Sequence, residues 1–315
     1  MLKNRAGSLI MQTMKLFSSM PAKLIQSLIC FICLFCFGVQ PVFAESVDCS
    51  MCHPDLDKKK TVHAAIGMGC ATCHTSLNVS DVPHKVTGKV PKGLSSAQPD
   101  ICYGCHDKTV FSKKNVHAAL MMGCTTCHNP HSADAQKLLV TEMPALCFNC
   151  HDKKKFEGKT MHPPVAGGMC TSCHNPHSSD SSKLLLSEVP DLCFNCHDKT
   201  IFSKKNVHSP VAGGMCLSCH GPHATNDFAL LMKRPVSVCL DCHADIAGKK
   251  HVVAEGKGHP FGSASKKGRV IKDPARAGKE FYCGSCHNPH SSDVRRLLRY
   301  KADFAFELCV NCHKK

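Results

Sequence analysis

Eleven times the chain carries Cys-x-x-Cys-His, with cysteine pairs 49/52, 70/73, 102/105, 124/127, 147/150, 170/173, 193/196, 216/219, 239/242, 283/286 and 309/312. On a helical turn, residues i, i+3 and i+4 share one face. Two thioethers at Cys49 and Cys52, Cys70 and Cys73, Cys102 and Cys105, Cys124 and Cys127, Cys147 and Cys150, Cys170 and Cys173, Cys193 and Cys196, Cys216 and Cys219, Cys239 and Cys242, Cys283 and Cys286, Cys309 and Cys312 can then fix porphyrin edges. The imidazoles of His53, His74, His106, His128, His151, His174, His197, His220, His243, His287 and His313 reach the irons from below. This is the attachment signature of c-type haem. Zinc also takes paired CxxC knuckles, but has no use for histidine directly after the second cysteine. With 22 histidines in 315 residues, chance puts one there about 7% of the time. Eleven out of eleven selects covalent haem c, eleven copies, over zinc.

Eleven histidines remain: His63, His84, His117, His131, His162, His177, His208, His223, His251, His259 and His290. One free histidine per haem is the ratio that bis-histidine ligation requires. An iron so ligated has no vacant position, so the expected chemistry is outer-sphere electron transfer at low potential, without the methionine that raises it. No catalytic residue is assigned: the chain has no CxxCK motif, no nucleotide loop and no acid/base pair. Two other readings stand beside the electron carrier. One is a multihaem oxidoreductase of the nitrite, hydroxylamine or sulfur-oxyanion type, with one open iron; the other is a subunit of a conductive filament.

The spacing also bears on which histidine serves which iron. His131, His177, His223 and His290 lie three residues after a motif histidine, a reach of roughly 10 Å, too short to pass around a porphyrin. They must serve a neighbour. Reaching forward leaves the Cys49 haem dependent on His251, about two hundred residues away; reaching back closes locally. The expected register is therefore His84 on the Cys49 haem, His131 on Cys102, His177 on Cys147, His223 on Cys193, His290 on Cys239 and His251 on Cys309. His63, His117, His162, His208 and His259 then take the Asn-Pro-His haem that follows each.

The elements that must position these groups form a repeat. Asn-Pro-His halves begin at Cys70, Cys124, Cys170, Cys216 and Cys283, and alternate with Asp-Lys halves that begin at Cys49, Cys102, Cys147, Cys193, Cys239 and Cys309. From Cys102 to Cys239 the pitch is 22 or 23 residues. Pro99, Pro144, Pro190 and Pro235 stand where short attachment helices should start. Leu138-Leu139, Leu184-Leu185-Leu186, Leu230-Leu231 and Leu297-Leu298 read as apolar cover for the porphyrins. Gly67, Gly69, Gly123, Gly168 and Gly214 precede Asn-Pro-His halves and allow close approach or a turn. No long stretch keeps a helical or strand period. The expected fold is mainly irregular with short α-helices, a haem-organised elongated repeat array with almost no β structure.

Residues 1–44 read as an export signal: Lys3, Arg5, Lys15 and Lys23 without any acid, an apolar run Leu24 to Val39, and small residues before Glu45. Cys30, Cys33 and Cys36 lie in that run and complete the 25 cysteines. Lipidation and retention as an anchor are the alternatives to removal. The remaining 271 residues give about 25 per haem, too few for a conventional core. Removing the leader takes four basic residues from 39 and no acid from 24, leaving +11. Eleven oxidised haems with ionised propionates contribute about −11, so Lys58-Lys59-Lys60, Lys113-Lys114, Lys153-Lys154-Lys155 and Lys204-Lys205 suit propionates as well as water. Nucleic acid is not an expected partner. The expected organisation is residues 45–101 for the first two haems and residues 102–243 for the regular repeats. A basic insertion at residues 244–282, either a loop or a docking element, and a terminal haem pair at residues 283–315 complete it.

CxxCH-Asn-Pro-His alternating with Leu-Cys-Phe-Asn-Cys-His-Asp-Lys and Val-His resembles the doubled-CxxCH multihaem c-type cytochromes, over residues 49 to 313. The resemblance implies an electron conduit of bacteria that respire metals or other external acceptors. It also implies redox partner proteins: quinol-linked or periplasmic cytochromes, an outer-membrane porin or a terminal acceptor. The implied location is the periplasm, the outer membrane or the cell exterior, with membrane association open. The departures are Thr75-Ser76-Leu77 in place of Asn-Pro-His, which leaves His84 to serve, and the insertion before Cys283.

Overall fold

A computed structural model describes residues 48–246, 272–302 and 305–313; the leader, and residues 247–271 with His251 and His259, lie outside the described residues. The chain divides into a unit ending at Cys52 and a second unit from His53 onward. In the first, the described residues make one 3-10 turn, Cys49–Met51, capped by the Asp48 carboxylate, which accepts the Ser50 N–H at 2.9 Å.

In the second unit each motif closes on itself. Cys70–Thr72, Cys124–Thr126, Cys170–Ser172 and Cys216–Ser218 are 3-10 turns. Asp100–Tyr103, Ala145–Phe148, Asp191–Phe194, Pro235–Leu240 and Cys283–Cys286 are short α-helices. The motif histidine donates its N–H to the first cysteine's carbonyl, as at His106 to Cys102 over 2.9 Å and His174 to Cys170 over 3.1 Å. The cysteines and the histidine therefore share a face, as their spacing requires. Pro99, Pro144 and Pro190 cap these helices and Pro235 opens its own. The Asp-Lys signature is itself a cap: Asp107, Asp152 and Asp198 accept the N–H of Thr109, Lys154 and Thr200 at 2.9, 3.0 and 2.9 Å, starting the next 3-10 turn.

Ten described strands have two residues each: β1 Thr61–Val62, β2 Leu77–Asn78, β3 Lys85–Val86, β4 Asn115–Val116, β5 Ser132–Ala133, β6 Thr160–Met161, β7 Ser178–Ser179, β8 Asn206–Val207, β9 Ala224–Thr225 and β10 Ser291–Ser292. Apart from the local hairpin β2-β3, the antiparallel pairs are long-range: β1-β5, β4-β7, β6-β9 and β8-β10. The strand just before each Val-His histidine thus pairs with the strand just after a Pro-His histidine one repeat further on. Consecutive repeats are laced together by backbone bonds rather than by apolar packing.

Little apolar packing exists. Among the described residues the buried hydrophobic side chains are Ala133, Ala135 and Phe281, and the most buried large group is serine: Ser132, Ser178 and Ser291. A chain this length without an apolar interior cannot offset its ordering entropy from protein contacts alone. Close approach between halves is set instead by small residues. A Cβ on Gly168, whose φ is +68°, would fall 2.7 Å from Cδ of Pro144, so only glycine lets the Cys170 turn lie against the Cys147 helix. No described helix is long and apolar enough to cross a membrane.

Candidate functional site: paired imidazoles

Histidines meet two by two. Ring centroids lie 5.9–6.2 Å apart in nine pairs: His53–His84, His63–His106, His74–His131, His117–His151, His128–His177, His162–His197, His174–His223, His208–His243 and His220–His290. A metal bound by Nε2 on both sides at about 2 Å per bond sets centroids about 6 Å apart, so the spacing fits an iron between the rings. Among the described residues no three His, Cys, Asp or Glu side chains converge as a closed metal site would require. Two donors on one axis suit a metal whose other positions are filled by a macrocycle.

One ring of every pair is anchored. In the motif series, Nδ1 of His74, His128, His174 and His220 donates to the carbonyl of Lys92, Lys137, Lys183 and Ala229 at 2.8–2.9 Å. In the other series, Nδ1 of His63, His117, His162 and His208 donates to Pro130, Pro176, Pro222 and Pro289 at 2.8–3.1 Å, and His84 to Asp81 at 2.7 Å. A carbonyl can only accept, so Nδ1 carries a proton, which leaves Nε2 as the nitrogen that could bind a metal. The rings of His131, His177, His223 and His290 carry no such bond, and their surroundings favour the neutral form. Burial pushes their pKa down, and the facing histidine adds to it.

The expected register is overturned by this geometry, except at His84, which faces the histidine of the Cys49 motif. His131, His177, His223 and His290 do not face His106, His151, His197 and His243; they face His74, His128, His174 and His220, one Asn-Pro-His half back. His63, His117, His162 and His208 pass over the motif that follows and face His106, His151, His197 and His243. The cause is the strand lacing: His63 donates its N–H to the His131 carbonyl at 2.8 Å, and His117 to His177 likewise, which no count along the chain reveals. The partners expected for His287 and His313, namely His259 and His251, lie outside the described residues.

Two sets of positioning residues escaped the sequence reading. The carbonyls that hold the motif histidines come from left-handed residues: Lys137-Leu138, Lys183-Leu184, Ala229-Leu230 and Arg296-Leu297 all have φ between 53 and 58°. The leucine pairs expected as porphyrin cover thus begin with a strained turn, whose second carbonyl accepts the next N–H, as Leu138 does from Asn129 at 2.7 Å. Phe111, Phe156 and Phe202 pack on His177, His223 and His290 with centroids 4.8–4.9 Å apart. Both sets recur at fixed distances from a motif histidine, nine residues for the turns and five for the phenylalanines, and that periodicity was the available signal.

Successive motifs adjoin. Cys102 lies beside Cys124, Cys147 beside Cys170, Cys193 beside Cys216 and Cys239 beside Cys283. Cys127 faces Cys150, Cys173 faces Cys196, Cys219 faces Cys242 and Cys286 faces Cys312. Burial, reinforced by the neighbouring sulfur, pushes Cys102 and Cys147 up to about 11.

The insertion ends in a built cap. Asp273, buried, accepts from Arg276 Nε at 2.6 Å, and Arg276 reaches Ser285 Oγ at 3.0 Å and lies over the Tyr282 ring at 5.3 Å. This arrangement stands where the other Asn-Pro-His halves have glycine.

Compared with known proteins, five stretches match the model of the doubled CXXCH motif family: residues 63–111, 117–156, 162–202, 208–248 and 273–315, together about two-thirds of the chain. The first four begin at His63, His117, His162 and His208, each of which faces the second motif histidine of its own stretch. No curated protein matches the chain.

Proposed function

This chain belongs to the doubled CXXCH family of multihaem c-type cytochromes, and we propose that it is an exported, eleven-haem electron conduit serving anaerobic or extracellular respiration. The nine imidazole pairs, each with ring centroids about 6 Å apart, carry the reading. Each motif cysteine pair would hold one haem by thioethers. The axial ligands would be the motif histidine and the ring opposite it: His84 on His53, His131 on His74, His63 on His106, and so through His208 on His243. His287 and His313 would take the remaining two, with His259 and His251 the candidates to face them.

Bound there, the haems supply one-electron outer-sphere transfer. The chain's contribution is position and protonation. The Nδ1–H bonds fix each anchored ring and raise its basicity, favouring the oxidised metal and low potential. The neighbouring cysteines of consecutive motifs, from Cys102 beside Cys124 onward, would hold consecutive haems near one another in sequence order. Redox proteins at either end, quinol-linked or periplasmic cytochromes, a porin or a terminal acceptor, would be the partners. The place of work would be the periplasm, the outer membrane or the cell exterior, reached through residues 1–44.

Intact mass of protein purified from cell fractions, with a haemochrome assay, should give eleven haems per exported chain. Electron paramagnetic resonance of the oxidised protein should show low-spin iron throughout. Zinc, clearly fewer haems, or a resting high-spin iron would overturn the reading, the last in favour of an enzyme.

A further inference from the structure

The four Pro-His loops are not equally secured. The one carrying His177 is fastened by Asn115, whose Nδ2 donates to the carbonyls of Ser179, Asp180 and Ser181 at 3.0–3.2 Å. Ser178 Oγ adds a bond to the Val110 carbonyl at 2.9 Å, and Ser179 Oγ one to Leu185. In the loop carrying His131 the paired residues are Thr61 and Ala133 rather than Asn115 and Ser179, so Thr61 lacks the amide of Asn115 and Ala133 lacks the hydroxyl of Ser179.

The ring itself is also less held. Phe111, Phe156 and Phe202 pack on His177, His223 and His290, and those rings stand tilted by 34–36° to their partners. Five residues after His53 the chain has Lys58 instead of phenylalanine, and His131 lies at 17° to His74. An open surface pocket lies beside the backbone of this loop, lined by Lys59, Asn129, Ala133, Asp134 and Ala135. The loop nevertheless keeps two backbone anchors, His131 N–H to Asn129 Oδ1 at 2.9 Å and its carbonyl to His63 at 2.8 Å. The imidazole can therefore swing and return without the loop unfolding.

We propose that the iron between His74 and His131 opens on its His131 side and binds a small neutral diatomic ligand of the carbon monoxide and nitric oxide class, while its neighbours stay closed. This rests on the reading of His74 and His131 as an axial pair. The exchange is of dative bonds only: His131 Nε2 leaves with its lone pair, the diatomic donates its own, and no electron or proton is transferred.

Dithionite-reduced holoprotein titrated with carbon monoxide should bind one molecule per chain. His131→Ala should still bind one, about tenfold tighter or more, because the competing ligand is gone. Phe156→Ala, with haem content checked, should bind two, since it frees His223 in the same way. No binding by the native protein, or two sites in His131→Ala, would overturn the proposal. A ferric spectrum of His131→Ala that stays fully low-spin would instead remove the axial pairing beneath it.

Discussion

The amide of His117 donates to the carbonyl of His177 over 2.8 Å, so histidines that face two different motif rings are joined by one backbone hydrogen bond. His177 faces His128, and His117 faces His151. The same arrangement joins His63 to His131, His162 to His223 and His208 to His290 at 2.8–3.0 Å. Each Pro-His dipeptide thereby sets two adjacent sites at once.

Replacing His177 with alanine tests this assignment. The prediction is one high-spin ferric iron, on the haem attached through Cys124 and Cys127, reversed by added imidazole. The His117 bonds run to backbone carbonyls of Pro176 and residue 177, so the site at His151 should stay low-spin. A structure with haems in place that shows His177 opposite His151 would refute the pairing.

Gly168→Ala should cost about 1–2 kcal/mol for the left-handed backbone alone, plus the contact its Cβ makes 2.7 Å from Pro144. Gly67 is the control, because a Cβ there has nothing within 4 Å and alanine should be neutral or slightly stabilising. Melting temperatures of the two holoproteins should separate them; equal values would deny the close approach a role.

Lys183→Asn should relieve strain at φ 53° by up to about 1 kcal/mol, since asparagine tolerates the left-handed region. The carbonyl that holds His174 would be unchanged, so the spectrum should not move while the melting temperature rises. Lys183→Pro cannot adopt that φ; the turn should open and weaken the hold on His174, visible as a raised potential.

At Asp273, burial pushes the carboxyl up, but the bonds from Ser285 and Arg276 and the Arg276 charge outweigh it and hold it below the usual range. A depressed folded pKa contributes stability above the unfolded value near 3.9, lost as pH falls through the folded one. Asp273→Asn should therefore lose about 1.5–3 kcal/mol at neutral pH, and the gap to the native protein should narrow below about pH 4. Denaturant unfolding at pH 7 and pH 3.5 would check it; a gap independent of pH would contradict the ion pair's role.

The chemistry was written locally. CxxCH specifies its own helical turn, because the histidine N–H closes onto the first cysteine's carbonyl four residues back, and the spare histidines pointed to partners, which the described residues supply for nine motifs. Asp107, Asp152 and Asp198 as caps, the helix starts at the prolines and the scarcity of regular structure all follow from neighbours in the chain. What only the tertiary structure decided is which imidazole faces which. His63 and His74 are close in sequence, yet each is paired elsewhere, His63 with His106 and His74 with His131. That choice is made by two-residue ladders between strands more than forty residues apart, and backbone bonds carry no side-chain signature. The same holds for the carbonyls of Lys137 and Lys183: any residue has one, and only a left-handed turn aims it at a histidine.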